Sequence, residues 1–134
     1  MTDRNEKLVA MRPAIFSAQV SSKMTEAEQF QNKTLRPIIK LQNDLLVEVF
    51  RNYIVKRKNI FYDLSQDKKM LFIENAIQKD MKFRNGIKGM IIGQFTLEEY
   101  EIYKTDSSAL NKRIMNIVKE RLQNNLLLFE KELV

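Results

Sequence analysis

The chain has 134 residues and is 44% apolar, which suits one domain around one core. It contains no cysteine and no histidine. That excludes a disulfide framework, a thiolate nucleophile and His- or Cys-ligated transition-metal sites, and it removes the commonest general base. Carboxylates, lysines, tyrosines and hydroxyls are all that remain for catalysis, so the composition weighs against an enzyme, and no catalytic residue, metal or cofactor is expected.

Three glycines and two prolines leave too little punctuation for an all-β chain. The N-terminal residues show no apolar stretch of the secretory type. The longest apolar runs, 90–92 and 126–129, fall far short of the roughly 20 residues that span a bilayer. The expectation is a cytoplasmic protein without a membrane segment. The net charge of +6 is uneven: residues 1–24 carry +2, 25–60 carry +3, 61–95 carry +2 and 96–134 carry −1. A basic excess of this kind attracts nucleic acid or an acidic partner, and it also serves simply as a solvated surface.

In chain order, residues 1–12 predict a short helix, with Asp3 as cap and Pro13 beyond its end. Residues 13–24 lack a helical period and read as an extended arm, anchored by Ile15, Phe16 and Val20 or else mobile. Thr25 and Glu28 have capping-box spacing and open a helix to about Lys33. The stretch 34–37 ends in proline, which lacks the N–H of a helix interior, and predicts an interruption, with Pro37 in a first turn or at a kink.

A new or bent helix then runs to about Arg57, with Ile38, Ile39, Leu41, Leu45, Leu46, Val49, Phe50, Tyr53 and Ile54 on one broad face. Lys56, Arg57 and Lys58 complement the dipole at its end. Ser65 or Asp67 opens the next helix, with Met70, Leu71, Ile73, Ala76 and Ile77 facing the core; it either continues through Asp80 or breaks there. Thr96 and Glu99 form a second capping box. The last helix, 108–132, carries the stripe Leu110, Ile114, Ile117, Val118, Leu122, Leu126 and Phe129.

All three glycines, Gly86, Gly89 and Gly93, fall within eight residues. At helical spacing they share an arc of about 60°, with Phe83 and Met90 beside it. Each costs about 1 kcal/mol in a helix relative to alanine, so a compensating role is expected. The plain reading is close packing against a neighbouring helix, within the chain or across a dimer, so that Gly89→Leu would destabilise the fold or split the dimer. The sharper reading is a phosphate contact, because Gly86-Ile-Lys-Gly89 has the GxxG spacing of a KH-type loop. Lys56, Arg57, Lys58, Lys82, Arg84 and Lys88, interleaved with Tyr53 and Phe83, are candidate anion or nucleic-acid contacts. Glu98, Glu99, Tyr100 and Tyr103 would carry acid–base chemistry only if gathered beside a Lys or Arg.

Residues 30–43 (Phe-Gln-Asn-Lys-Thr-Leu-Arg-Pro-Ile-Ile-Lys-Leu-Gln-Asn) and 82–103 (from Lys-Phe-Arg-Asn-Gly-Ile-Lys-Gly to Glu-Glu-Tyr-Glu-Ile-Tyr) resemble a family of small bacterial helical proteins. Some of its members carry the automatic name "glyoxalase". The resemblance spans most of the chain and implies a helical fold without an established activity. A metal-dependent glyoxalase needs histidine and glutamate ligands on a β-rich fold, and this chain has no histidine; the activity is not carried over.

Together these readings predict a single all-α domain over 1–134, a bundle of about five helices. Residues 1–24 form an arm with a short N-terminal helix, and 25–134 form the bundle. The helices 38–57 and 108–132 form its spine, and the glycine segment docks on one of them. Broad apolar faces predict a symmetric homodimer. The leading functional expectation is a non-enzymatic interaction or regulatory domain for an unidentified protein partner. The alternative is a nucleic-acid-binding module using the basic surface of residues 51–88.

Overall fold

The computed structural model describes residues 3–15 and 21–129, and among them all regular structure is helical. Helix α1 is Asp3–Met11; α2 (Glu26–Phe30) runs through a π turn (Gln31–Leu35) into α3 (Arg36–Leu41). Then come α4 (Asn43–Lys56), α5 (Gln66–Gln78), α6 (Met81–Ile92), α7 (Leu97–Thr105) and α8 (Ser107–Asn124), with short 3-10 turns at Ile60–Asp63 and Leu126–Leu128. Counting α2–α3 as one rod gives seven helices among the described residues. The excess over five comes from breaks that apolar periodicity does not register.

Pro37 lies in the first turn of α3, as expected, but no gap separates that helix from α2. The Pro37 ring would collide with the carbonyl one turn back, and it has no N–H to offer. The rod absorbs both by widening one turn, where the Arg36 N–H donates to the Gln31 carbonyl, five residues back. The break falls instead at Gln42 (φ −85°, ψ 0°), so the expected helix 38–57 is two segments. Asp80 does separate α5 from α6. It takes extended backbone (φ −86°, ψ 95°), and its carboxylate accepts from the Phe83 N–H. Ser65, rather than Asp67, caps α5.

Helix α8 lies at the centre, packed against the π turn, α3, α4, α5, α6 and α7. It buries Leu110, Ile114, Met115, Ile117, Val118 and Leu122. The expected helix to 132 stops at Asn124 and turns through Leu126–Leu128, which brings the buried Phe129 back onto Phe50 (centroids 4.9 Å). Phe50 also meets Tyr53, Phe61, Phe72 and Phe83, and this aromatic cluster fixes α4 against α5 and α6. Of the expected core faces, Leu45 and Leu71 are exposed, while Phe72 packs on the core in Leu71's place.

Helix α1 is fastened by polar groups. Arg4 donates to the carbonyls of Phe95 (2.9 Å) and Gly93 (3.0 Å), and Asn5 accepts from the Leu97 N–H (3.2 Å). Of the expected extended arm, Phe16 and Val20 lie outside the described residues, and Ile15 is half-buried.

Candidate functional site

Helix α6 places its glycines outward. Ile87 and Ile91 are buried, Phe83 and Met90 are half-buried, and Gly86, Gly89 and Gly93 are exposed. A β carbon at Gly86 or Gly89 would meet no atom within 4 Å, and at Gly93 it would meet only carbonyls of Gly89 and Met90 in its own helix. No helix of the described chain needs these glycines to be small. The close-packing reading within the chain is therefore corrected: α6 does dock on α8, one of the expected spine helices, but it buries Ile87 and Ile91 and leaves its glycines facing out. The KH-type reading falls too: Gly86 and Gly89 sit inside a continuous helix and not in a loop, and no strand occurs among the described residues.

What α6 forms instead is one wall of a groove with α4, with a volume of about 360 Å³. Its floor is apolar, from Val49, Phe83, Ile87 and Met90, and its rim carries Asn52, Lys56, Lys82 and Gly86. Gly86 keeps the α6 rim low. Seven residues singled out in the sequence thus converge here: Tyr53, Lys56, Arg57, Lys82, Phe83, Gly86 and Met90. Gly89, Gly93, Lys58, Arg84 and Lys88 do not line the groove. Lys58 instead sits with Asn59 in the left-handed region (φ 60° and 59°), in the turn that ends α4.

One end of the groove is closed by Tyr53, Arg57 and Asp80. The Tyr53 hydroxyl donates to Asp80 (3.0 Å), Arg57 pairs with the same carboxylate, and the Arg57 guanidinium lies over the Tyr53 ring (4.6 Å). The Phe83 N–H, with help from Tyr53 and Arg57, holds the Asp80 carboxyl below its ordinary pKa despite some desolvation. Partial burial, reinforced by the Asp80 carboxylate and opposed by Arg57, pushes the Tyr53 hydroxyl up. Asp80 is fully engaged and offers little negative charge to an incoming ligand. Lys56 and Lys82 have no ion-pair partner among the described residues. Residues 51–88 hold ten basic and four acidic side chains. This segment therefore carries a net +6, equal to the charge of the whole chain.

A second cavity lies between α1, α2 and α7, beside Glu99. Burial pushes the Glu99 carboxyl up. The Arg12 guanidinium, the Thr96 N–H and the Thr34 hydroxyl outweigh that and hold it below the ordinary glutamate range. Both Glu99 oxygens are occupied by the protein, so this carboxylate fastens helices. Of the residues considered for acid–base work, Glu98 and Glu99 line this cavity with Lys33, but Glu99 is taken up by Arg12, Tyr103 donates to Asn111 (2.6 Å), and Tyr100 is exposed. No group of His, Cys, Asp or Glu suited to a metal ion occurs among the described residues.

The sequence reading missed Arg12 and Thr34 as partners of Glu99. The one trace was Glu99's place in a capping box, which implied a backbone bond and nothing more. Asp80 was read as a point where the helix either continues or breaks, and its role as the hub for Tyr53 and Arg57 had no local signature. Compared with protein-family models, curated proteins and solved structures, the chain matches none.

Proposed function

We propose that the chain is a non-enzymatic helical interaction domain acting in the cytoplasm, with the α4–α6 groove as its contact face. The observation that carries this reading is the groove's make-up: an apolar floor beneath two lysines that lack an internal ion pair. Such a cleft gains most from an occupant that supplies apolar side chains and negative charge together. No described helix is long and apolar enough to cross a membrane. The test is affinity capture from a cell extract by the wild-type chain and by Gly86→Leu, which fills the groove where a side chain has open space. Partners held by the wild type and lost by the variant support the reading; an identical set contradicts it.

The charge of residues 51–88 favours a second reading, nucleic-acid binding. Against it, the Tyr53 ring is packed by Phe50, Phe72 and Phe83 and covered by Arg57, so it offers no ready face to a base. Anisotropy titrations with mixed-sequence DNA and RNA at roughly 50 and 200 mM salt separate the two readings. Tight binding that survives the higher salt would promote nucleic acid. Binding that collapses shows only generic attraction.

A further inference from the structure

Away from both the α4–α6 groove and the cavity beside Glu99, a polar cleft of about 680 Å³ separates the π turn from α8. Its cations are Arg36, Lys112 and Arg113, with Gln31, Ser108 and Asn116 as neutral polar neighbours. Arg12, Arg51 and Arg57 each pair with a carboxylate, but Arg36, Lys112 and Arg113 pair with none among the described residues. Both cleft arginines are half-buried, and neutral amides hold them. Arg113 Nη1 donates to Gln31 Oε1 (2.7 Å), and Arg36 Nε donates to Asn32 Oδ1 (3.2 Å). A neutral acceptor orients a guanidinium without cancelling its charge, and its other nitrogens stay open as donors. The π turn sets this up. Residues five apart in an α-helix lie about 140° apart around the axis. In the widened turn the Arg36 N–H donates to the Gln31 carbonyl, which stacks residue 36 over residue 31. Arg36 thereby shares a side with Gln31, the residue that receives Arg113. Such turns inside α-helices recur at functional sites.

We propose that this cleft binds a phosphate dianion, free or as the monoester of a small molecule, between Arg36 and Arg113, with Lys112 as the third cation. Two guanidinium forks and an ammonium match a group that carries nearly two negative charges and three acceptor oxygens. A single carboxylate would leave one fork unanswered. The cleft also limits the length of its occupant. Asp106 and Glu120 line it too, each seven residues from Arg113, which is close to two turns and keeps all three on one face. At about 1.5 Å per residue, each carboxylate stands about 10 Å along the axis from Arg113. That exceeds the roughly 8 Å screening length of physiological salt, so the end carboxylates do not cancel the central charge. They do repel a polyanion that runs the length of the cleft. A compact anion fits between them, and a nucleic-acid backbone does not.

The test is isothermal titration calorimetry on the full chain at constant ionic strength, with inorganic phosphate, ribose 5-phosphate and, as a neutral control, ribose. The wild type is expected to bind phosphate at one site with a Kd of about 1 mM or tighter and to ignore ribose. Tighter binding of the ester assigns a monoester; equal affinity assigns the free ion. Arg36→Gln and Arg113→Gln should each weaken binding by about tenfold or more, and Arg36→Lys, which keeps the charge but loses the fork, should recover only part of that. Arg121→Gln removes a charge from the same helix outside the cleft and should bind like the wild type. Far-ultraviolet circular dichroism checks folding, and Arg36→Lys and Arg113→Lys replace any glutamine variant that loses its helices. Amide shifts in an NMR titration with phosphate should cluster at residues 31–36 and 108–116. Absence of phosphate binding overturns the proposal. So do arginine variants that bind like the wild type, an equal loss in Arg121→Gln, shifts centred on residues 51–88, or a mixed-sequence oligonucleotide that displaces phosphate from the cleft.

Discussion

Arg12 and Glu99 stand 87 residues apart in the chain, yet the two terminal nitrogens of Arg12 each hold one oxygen of Glu99 at 2.7 Å. The side chains are only 9% and 14% exposed. The pair joins the segment after α1 to the first turn of α7. Glu99 also closes the capping box of Thr96 and receives the Thr34 hydroxyl (3.1 Å) from the π turn. One carboxylate therefore ties three separate segments together.

Removing one member leaves the other charge buried without its partner. Arg12→Ala should cost about 3–5 kcal/mol, read as a lowered urea midpoint with an unchanged slope.

The same carboxylate sets an acid response. Glu99 has a lowered pKa in the folded state, so it binds a proton less readily there than in the unfolded chain. Its contribution is complete above the ordinary glutamate range and is lost as pH falls through the lowered folded-state value. Urea midpoints of the wild type and Glu99→Gln, measured from pH 7 downward, should be far apart at neutral pH and converge in acid.

Thr34 is 2% exposed, and its hydroxyl has a charged acceptor. Thr34→Val keeps the shape and removes the donor, and should cost about 1.5–3 kcal/mol by thermal or urea melting. In the Glu99→Gln background the same change should cost less, because the acceptor has lost its charge.

Gly86 and Gly89 sit inside α6 with open space where a β carbon would go. Gly86→Ala and Gly89→Ala should each stabilise the monomer by about 0.5–1 kcal/mol through helix propensity alone. This reverses the expectation from spacing, under which filling these positions harms the fold.

Phe50 is fully buried and touches five other rings. Phe50→Ala should cost about 3–5 kcal/mol and loosen α4 against α6, visible as faster amide exchange in both helices.

Local chemistry made much of this fold legible. Thr25, Ser65 and Thr96 each start a helix because a side-chain oxygen answers an N–H three residues on, and that pattern is readable in sequence; Asp80 does the same, but its sequence context left continuation or a break open. The stripe of α8 is likewise buried from Leu110 to Leu122, because its period matches the helix. Pro37 marked a first turn but left open how the chain enters it, because a widened turn and a broken helix share one sequence signature. The glycines misled because their spacing fixes a shared face but not the side of the helix that meets the body. The groove was half legible: its lysines and its Phe83–Met90 wall stood out separately, but their meeting depends on how α4 and α6 lie together. Long-range polar ties such as Arg12 to Glu99 leave no periodic trace at all.

The most direct test of the central claim, that the α4–α6 groove is where this chain meets other macromolecules, is site-specific photo-crosslinking. A benzophenone side chain would replace Gly86 in the groove rim, and in a control would replace the exposed Glu120, which does not line it. Irradiation in cell extract should give discrete adducts from position 86 and none of these from position 120. The same adducts from both positions, or none from position 86, would contradict the account.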